Sequence, residues 1–356
     1  MLVLDLKTLP PLVVLMKSIA LALVFFCQSA LAEEDTISQA RFFRLLGIKP
    51  TEQEASPFGG LKTVVLTHKA LAEGTKKLEF ADVGIRDLRA FSYLDELEWL
   101  RLSHNPVSDL SPLAELTNLQ VLSLYGVPRS NSSSARITDL TPISGLNNLW
   151  SLALDEHSIS DLSPVTKLIN LRTLYVTRNE VSDVSDLSSL SSLKTLFLSH
   201  NKITDIAPLA DLKDLEWLRL SANKISDIWP ISGLSMLEQI HLEGNQVSNL
   251  APLANLKQLR ELKLGGNQIT NIGPLAGLTY MRELHLNNNQ YIEDISPLVG
   301  MRQLQILNLA HNQISDLTPL LNHRSLRTLI LVGNPCDEEQ ISRIKRDLPR
   351  CDVVYR

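Results

Sequence analysis

The chain repeats itself, and the period of the repeat limits what it can fold into. A unit of 22 residues recurs eleven times before a last partial copy. One copy runs from Ser191 to Leu212 as SSLKTLFLSHNKITDIAPLADL, and the next from Lys213 to Leu234 as KDLEWLRLSANKISDIWPISGL. Apolar residues fall at unit positions 3, 6, 8, 13 and 16, with a Leu or Ile near 19 and another at 22. Position 11 is usually Asn, position 15 usually Asp and position 18 usually Pro. No copy can bury its apolar face alone, so the copies must stack into one continuous core.

The first copy is degenerate: Leu78, Phe80, Ile85 and Leu88 keep the register while Val83 takes the Asn position. Regular copies begin at Asp95, Thr117, Asn147, Ile169, Ser191, Lys213, Ser235, Lys257, Thr279 and Arg302, and the partial copy at Arg324. The copy from Thr117 carries eight extra residues, placed in a Ser-rich surface loop near 127–135. The copy from Thr279 carries one extra residue around Gln290-Tyr291, which reads as a bulge.

The 356 residues allow two or three ordinary domains, but a solenoid grows by copying and need not divide that way. Residues 1–32 read as a signal peptide. Lys17 precedes the apolar run Ile19–Cys27, and Ala30-Leu31-Ala32 supplies the small residues of a cleavage site. The run is shorter than the roughly 20 apolar residues of a membrane span, so no integral span is expected in the mature chain. Met16-Lys17 makes a normal beginning, which places the expected start at Met16. Residues 33–74 depart from the repeat and read as an N-terminal cap. It holds a short helix over 37–46, capped by Thr36, and a strand over 63–67. The repeats fill 75–333. Residues 334–356 close the far end with a helix near 337–347 and a strand near 352–355.

After cleavage two cysteines remain, Cys336 and Cys351, and an even count in an exported chain favours a disulfide. The alternative is two buried thiols that fill the terminal cap. A net charge of −5 gives no basic surface for nucleic acid.

The signature Leu-x-x-Leu-x-x-Leu-x-Leu-x-x-Asn-x-Ile-x-Asp-Ile-x-Pro-Leu resembles the leucine-rich repeat family in its internalin-like form, over about residues 73–333. The resemblance implies an α/β fold, a right-handed solenoid with a parallel concave β-sheet, short 3-10 or turn segments on the convex side and terminal caps. It also implies contact with host or other cell-surface proteins. The sequence ends at Arg356 without a Leu-Pro-x-Thr-Gly anchor, which sets it apart from the cell-wall forms. The residues agree with the resemblance. Leu196-Phe197-Leu198 alternates in, out, in, as a strand does. Each inward Leu or Ile contributes roughly 1.5–3 kcal/mol when buried.

The recurrent asparagines, Asn105, Asn179, Asn201, Asn223, Asn245, Asn267, Asn289, Asn312 and Asn334, fall at the turn leaving each strand. An amide there can satisfy backbone groups of its own and neighbouring turns, which makes them structural. His157 replaces this Asn and the inserted copy lacks it, so the ladder is expected to be weakest between Leu122 and Ile159. The column Asp109, Asp139, Asp161, Asp183, Asp205, Asp227, Asp294 and Asp316 offers one carboxylate per copy ahead of a turn. Capping fits this better than a calcium site, which needs several converging oxygens. His241 and His285 lie two copies apart, about 10 Å at the usual strand spacing, too far for one zinc ion. No metal and no cofactor are expected. Neither His-Glu-x-x-His, Gly-x-Ser-x-Gly nor a phosphate loop is present, so no catalysis is expected.

Positions 5, 7 and 9 face away from the core, and nothing structural demands aromatics there. Trp99, Tyr125, Tyr175, Phe197 and Trp217 nevertheless occupy them, with Trp150 just beside and Arg101 and Arg219 in the same row as Tyr175 and Phe197. Large aromatics beside Arg are what binding hot spots are made of. His241, Lys263 and His285 continue that row as a charged, mixed surface suited to register. The expected role is therefore that of an exported, monomeric, non-catalytic binding protein, secreted or periplasmic in a bacterial envelope. It would grip a protein or peptide through the concave face. Two other classes fit less well. One is an intracellular phosphatase-regulator-like repeat protein, and the other a glycan-binding module whose Trp and Tyr platforms receive sugar rings.

Overall fold

A computed structural model describes residues 76–127 and 135–356. The expected signal peptide, the N-terminal cap with its helix and strand, and most of the inserted loop lie outside the described residues.

Thirteen parallel strands form one sheet in strict sequence order. They are β1 (Lys77–Glu79), β2 (Trp99–Arg101), β3 (Val121–Ser123), β4 (Ser151–Ala153), β5 (Thr173–Tyr175), β6 (Thr195–Phe197) and β7 (Trp217–Arg219). The sheet continues through β8 (Gln239–His241), β9 (Glu261–Lys263), β10 (Glu283–His285), β11 (Ile306–Asn308), β12 (Thr328–Ile330) and β13 (Asp352–Val354). Register follows the repeat: Leu174 pairs with Leu196 and Leu196 with Leu218, so the middle residue of each strand stacks on its own kind. That residue points into the core, and the first and third residues face outward. A one-residue slip would expose the whole column of leucines, so burial fixes the register.

The core is one continuous cluster from Ile85 to Val353. Nearly every position-3, -6, -8, -13, -16, -19 and -22 side chain is fully buried, as Leu193, Leu196, Leu198, Ile203, Ile206, Leu209 and Leu212 show within one copy. The chain returns on the other side through short 3-10 turns such as Ala207–Asp211 and Trp229–Gly233. Sequence explains where these begin. Asp205 accepts the Ala207 amide at 2.8 Å and Asp227 the Trp229 amide at 2.9 Å. Asn249 and Asn271 do the same for Ala251 and Gly273. Proline then enters at the start of the turn, where its missing N–H costs nothing. The aspartate column therefore caps turns.

A helix, α1 (Glu338–Asp347), covers the last coil. Asp337 accepts the Gln340 amide at its N-cap, and Glu338, Glu339, Lys345 and Arg346 complement its dipole. Ile341, Ile344 and Leu348 are buried beneath it. The disulfide expected between Cys336 and Cys351 is not formed: both thiols are free. Cys336 points its Sγ at the Ile314 carbonyl, past the exit of the strands, whereas Cys351 immediately precedes β13 at their entry. A three-residue strand is about 10 Å long, beyond the roughly 7 Å Cα separation a disulfide can bridge. Burial pushes both thiols up to about 11, so neither is a reactive thiolate near neutral pH.

Candidate functional site

The turn that leaves each strand sets the rim of the concave face. Residues at unit position 10 take the left-handed conformation, with φ of 57° at His200 and 54° at Ala222. The next residue is the recurrent Asn. Asn245 shows the pattern: its Oδ1 accepts the Ile225 amide at 3.0 Å, and its Nδ2 donates to the Leu220 and Leu242 carbonyls at 3.0 Å. Asn105, Asn179, Asn201, Asn223, Asn267, Asn289 and Asn334 likewise tie their own coil to the one before.

The expected weak point of this ladder is corrected at His157, while on the other side of the inserted copy the Val107 amide turns back to the Asn105 carbonyl of its own coil. His157 is 1% exposed and replaces both functions of the amide. Its Nδ1 accepts from the Ile137 amide at 3.3 Å, and its Nε2 donates to the Leu124 carbonyl at 2.5 Å across the insertion. Burial pushes its pKa down to about 4, aided by the charge of Arg136, so the imidazole is neutral and can accept and donate at once. A half-made rung lies at Asn312, whose Nδ2 donates to the Leu286 carbonyl of the preceding coil at 2.9 Å while its buried Oδ1 has no partner. The preceding copy is one residue longer, and the bulge at Gln290, with φ of 67°, displaces the amide that Oδ1 would accept.

On the outward rows, the structure divides the aromatic residues into three groups. Trp99 and Trp150 meet edge to face with ring centroids 6.0 Å apart, and Lys77 and Arg101 lie over the Trp99 ring. Tyr125 lies further along, packed edge-on against His104 rather than with the other aromatics. Tyr175 stacks on Phe197 at 4.6 Å and 18°, and the Arg219 guanidinium lies 4.2 Å from the Phe197 ring. These three residues share the third position of β5, β6 and β7 and form one continuous stack across three strands. Trp217 begins β7 on the same face and is 42% exposed.

A groove of about 1050 Å³ runs along the strand entries from Lys76 to Trp217, and its stretch between Trp150 and Trp217 is lined by Arg172, Thr173, Lys194, Thr195 and Glu216. Three strand spacings, about 14 Å, separate β4 from β7. Sequence reasoning named both indoles but missed the groove, because its depth comes from the short side chains between them. It also missed a second amide column. Asn118, Asn148 and Asn170 donate Nδ2 to the carbonyls of Asp95, Thr117 and Asn147, each at 2.8 Å.

Beyond β7 the face changes character. His241 Nε2 lies 2.7 Å from Glu261, and Lys263 sits 2.9 Å from both Glu261 and Glu283. His285 Nε2 lies 3.1 Å from Glu283 and is buried without a hydrogen-bond partner. Burial lowers the pKa of His241 and His285, so both are neutral near pH 7. Burial also opposes the Lys263 ammonium, but the hydrogen bonds it donates to Glu283 and Glu261 outweigh it and hold its pKa above the ordinary value. Among the described residues no cluster of His, Cys, Asp and Glu could hold a metal ion. No helix of the described residues is long and apolar enough to cross a membrane.

Fold and ladder together define a leucine-rich-repeat solenoid. Models of leucine-rich repeats match residues 95–145, 169–225, 235–276, 257–300 and 301–317. Among solved structures, internalin InlF of Listeria monocytogenes is 32% identical, with a TM-score of 0.75 over 83% of this chain and 87% of that one. Internalin C2 of the same organism is 31% identical, with a TM-score of 0.52 over 57% of this chain and 90% of its own. A leucine-rich-repeat protein of Leptospira interrogans shares the fold at 22% identity, covering 81% of this chain and 98% of that one with a TM-score of 0.53. No curated protein sequence matches. The chain belongs to the internalin-like leucine-rich-repeat proteins.

Proposed function

We propose that this chain is an exported bacterial binding protein, secreted or periplasmic and without chemistry of its own, that grips a protein or peptide on its concave sheet. One observation carries the reading: the Tyr175–Phe197–Arg219 stack lies on the solvent face of β5 to β7, with the indole of Trp217 exposed beside it. None of these side chains serves the core, which the leucines complete without them. An exposed cluster of large aromatics beside Arg has the composition of a protein-binding hot spot. Likeness to internalins supports the same reading, as does the run Ile19–Cys27 followed by Ala30-Leu31-Ala32 for export.

The test compares the full chain with the Phe197→Ala/Trp217→Ala double variant, each immobilised and offered proteins from medium and envelope. Capture by the wild type should disappear in the variant while its melting temperature stays nearly unchanged. Equal capture by both refutes the concave-face reading. Fractionation of a tagged chain between cytosol and periplasm tests export separately.

A further inference from the structure

We propose that the partner segment held by the aromatic half of the concave face is an acidic peptide. It seats an apolar side chain between Trp150 and Trp217 and sets carboxylates against Arg172 and Arg219. The inference rests on the concave-face reading above and names the chemistry of its partner.

The residue just ahead of each strand forms a row in which neighbouring charges pair. Lys76 meets Glu98 at 2.7 Å, Lys194 meets Glu216 at 2.7 Å, and Arg260 meets Glu238 at 3.7 Å. Arg172 breaks this pattern, as does Arg282 between Arg260 and Gln305. The neighbours of Arg172 in the row are Trp150 and Lys194, an indole and another cation, and no carboxylate among the described residues reaches it. It is exposed and lines the groove. Arg219 is the second open cation. Its guanidinium lies on Phe197, and its Nε is buried without an acceptor. Buried donors nearly always find a partner. Stacking occupies only the flat face of a guanidinium, so its N–H fork stays available for a carboxylate. The next residue in the row, His241, is already committed to Glu261.

The wider charge balance agrees. On the outward rows of β1 to β7, Lys76, Lys77, Arg101, Arg172, Lys194 and Arg219 face Glu79, Glu98, Glu216 and the buried Asp155, and Glu96 adds one more carboxylate to the groove lining. This excess of cations sits in a chain whose net charge is −5, and it coincides with the aromatic half. From β8 to β10, Glu238 pairs with Arg260 and Lys263 with Glu261 and Glu283, while Arg282 has no ion pair among the described residues. A sugar would need a denser set of donors in the groove. The nearby asparagines supply few, because Asn118, Asn148 and Asn170 spend their amide hydrogens on carbonyls of the preceding coil. Gln120, Thr173, Ser192 and Thr195 add neutral donors, and the one charged donor of the groove without a counter-charge among the described residues is the Arg172 guanidinium beside the Trp150 indole. That pairing suits acidic residues next to an apolar one.

The test pans a random peptide library on the immobilised full chain and, in parallel, on the Arg172→Gln/Arg219→Gln double variant. Peptides selected by the wild type should be enriched in Asp and Glu beside an aromatic or large aliphatic residue, and the double variant should lose that enrichment. The best selected peptide, titrated by tryptophan fluorescence, should lose about tenfold or more in affinity for each single Arg→Gln change, the scale of a charged hydrogen bond. Its binding should also weaken as salt rises. Should Arg219→Gln disturb the stack and lower the melting temperature, Arg172→Gln, at an exposed position, carries the test alone. Selection of neutral or basic peptides that need Trp217 would overturn the acidic class and leave the concave-face reading standing. Selected peptides that bind the Phe197→Ala/Trp217→Ala variant as well as the wild type would remove both. So would failure to select any peptide while a neutral oligosaccharide binds through Trp150.

Discussion

Acid should loosen this solenoid first at His157. The imidazole must be neutral to accept from the Ile137 amide and donate to the Leu124 carbonyl, and burial holds its folded pKa at about 4 against an ordinary 6.5. The unfolded chain therefore takes up a proton below about pH 6.5 while the folded chain does not. Stability from this residue is fully present above that value, declines as pH falls toward 4, and is flat below. The gap of about two and a half pH units corresponds to about 3 kcal/mol, a large share of a typical folding free energy. The measurement is urea unfolding of the wild type and His157→Asn across about pH 7.5 to 4. Asn restores the residue used elsewhere in the ladder and does not titrate, and carboxylate effects common to both proteins cancel. The stability difference between the two should shift by up to about 3 kcal/mol in favour of the variant as pH falls. A difference that stays constant from about pH 7 to 4.5 would refute the neutral, doubly bonded imidazole.

Asn245→Ala removes three hydrogen bonds to backbone groups and leaves a buried amide unpaired, so it should cost about 2–4 kcal/mol in chemical denaturation. Asn312→Ala should cost clearly less, because its Oδ1 already has no partner. Gly126→Ala should lower the melting temperature by several degrees, since its added Cβ would collide with the backbone carbonyl of Glu156, which cannot swing aside. Lys263→Met leaves Glu261 and Glu283 directly opposite each other on adjacent strands without their shared cation. Thermal melts should show a loss of stability at neutral pH that shrinks as pH falls and the two carboxylates take up protons.

The sequence shows the fold because each coil repeats one local problem. Leu196 and Leu198 flank an outward residue, so a strand must pass there, and Asp205-Ile206-Ala207-Pro208 can only be a capped turn. What escaped was whatever depends on relations between coils. Replacing Asn by His157 looks like a defect along the chain, yet the longer side chain reaches the same two backbone groups. The extra residue near Gln290 looks harmless, yet it orphans an oxygen on the following coil, at Asn312. His323 stands where the other coils carry a core Leu, and only the structure shows its ring nitrogens lying against the Leu320 and Leu298 carbonyls. Cys336 and Cys351 are an even pair to anyone counting cysteines, but one lies at the exit and the other at the entry of the strands. The aromatic residues were visible individually. Their division into a Trp pair, a His–Tyr pair and a Tyr–Phe–Arg stack needed the register.

The concave face is one sheet with two chemistries, and the difference has a physical consequence for where binding energy can come from. In β8 to β10, His241, Glu261, Lys263 and Glu283 already pair with one another, although the buried Nε2 of His285 has no hydrogen-bond partner, so a partner landing there would have to desolvate matched charges for little return. In β4 to β7 the opposite holds. The Trp217 indole is exposed, Phe197 is half-buried, Arg172 has no counter-charge, and Arg219 has a buried donor without an acceptor. A ligand that covers this half gains apolar burial against Trp217 and can supply the counter-charge that Arg172 lacks. Because each coil touches only its neighbours, the two halves can differ in this way while one ladder of amides holds both. Affinity should therefore reside between Trp99 and Arg219, and the charged coils that follow should govern orientation.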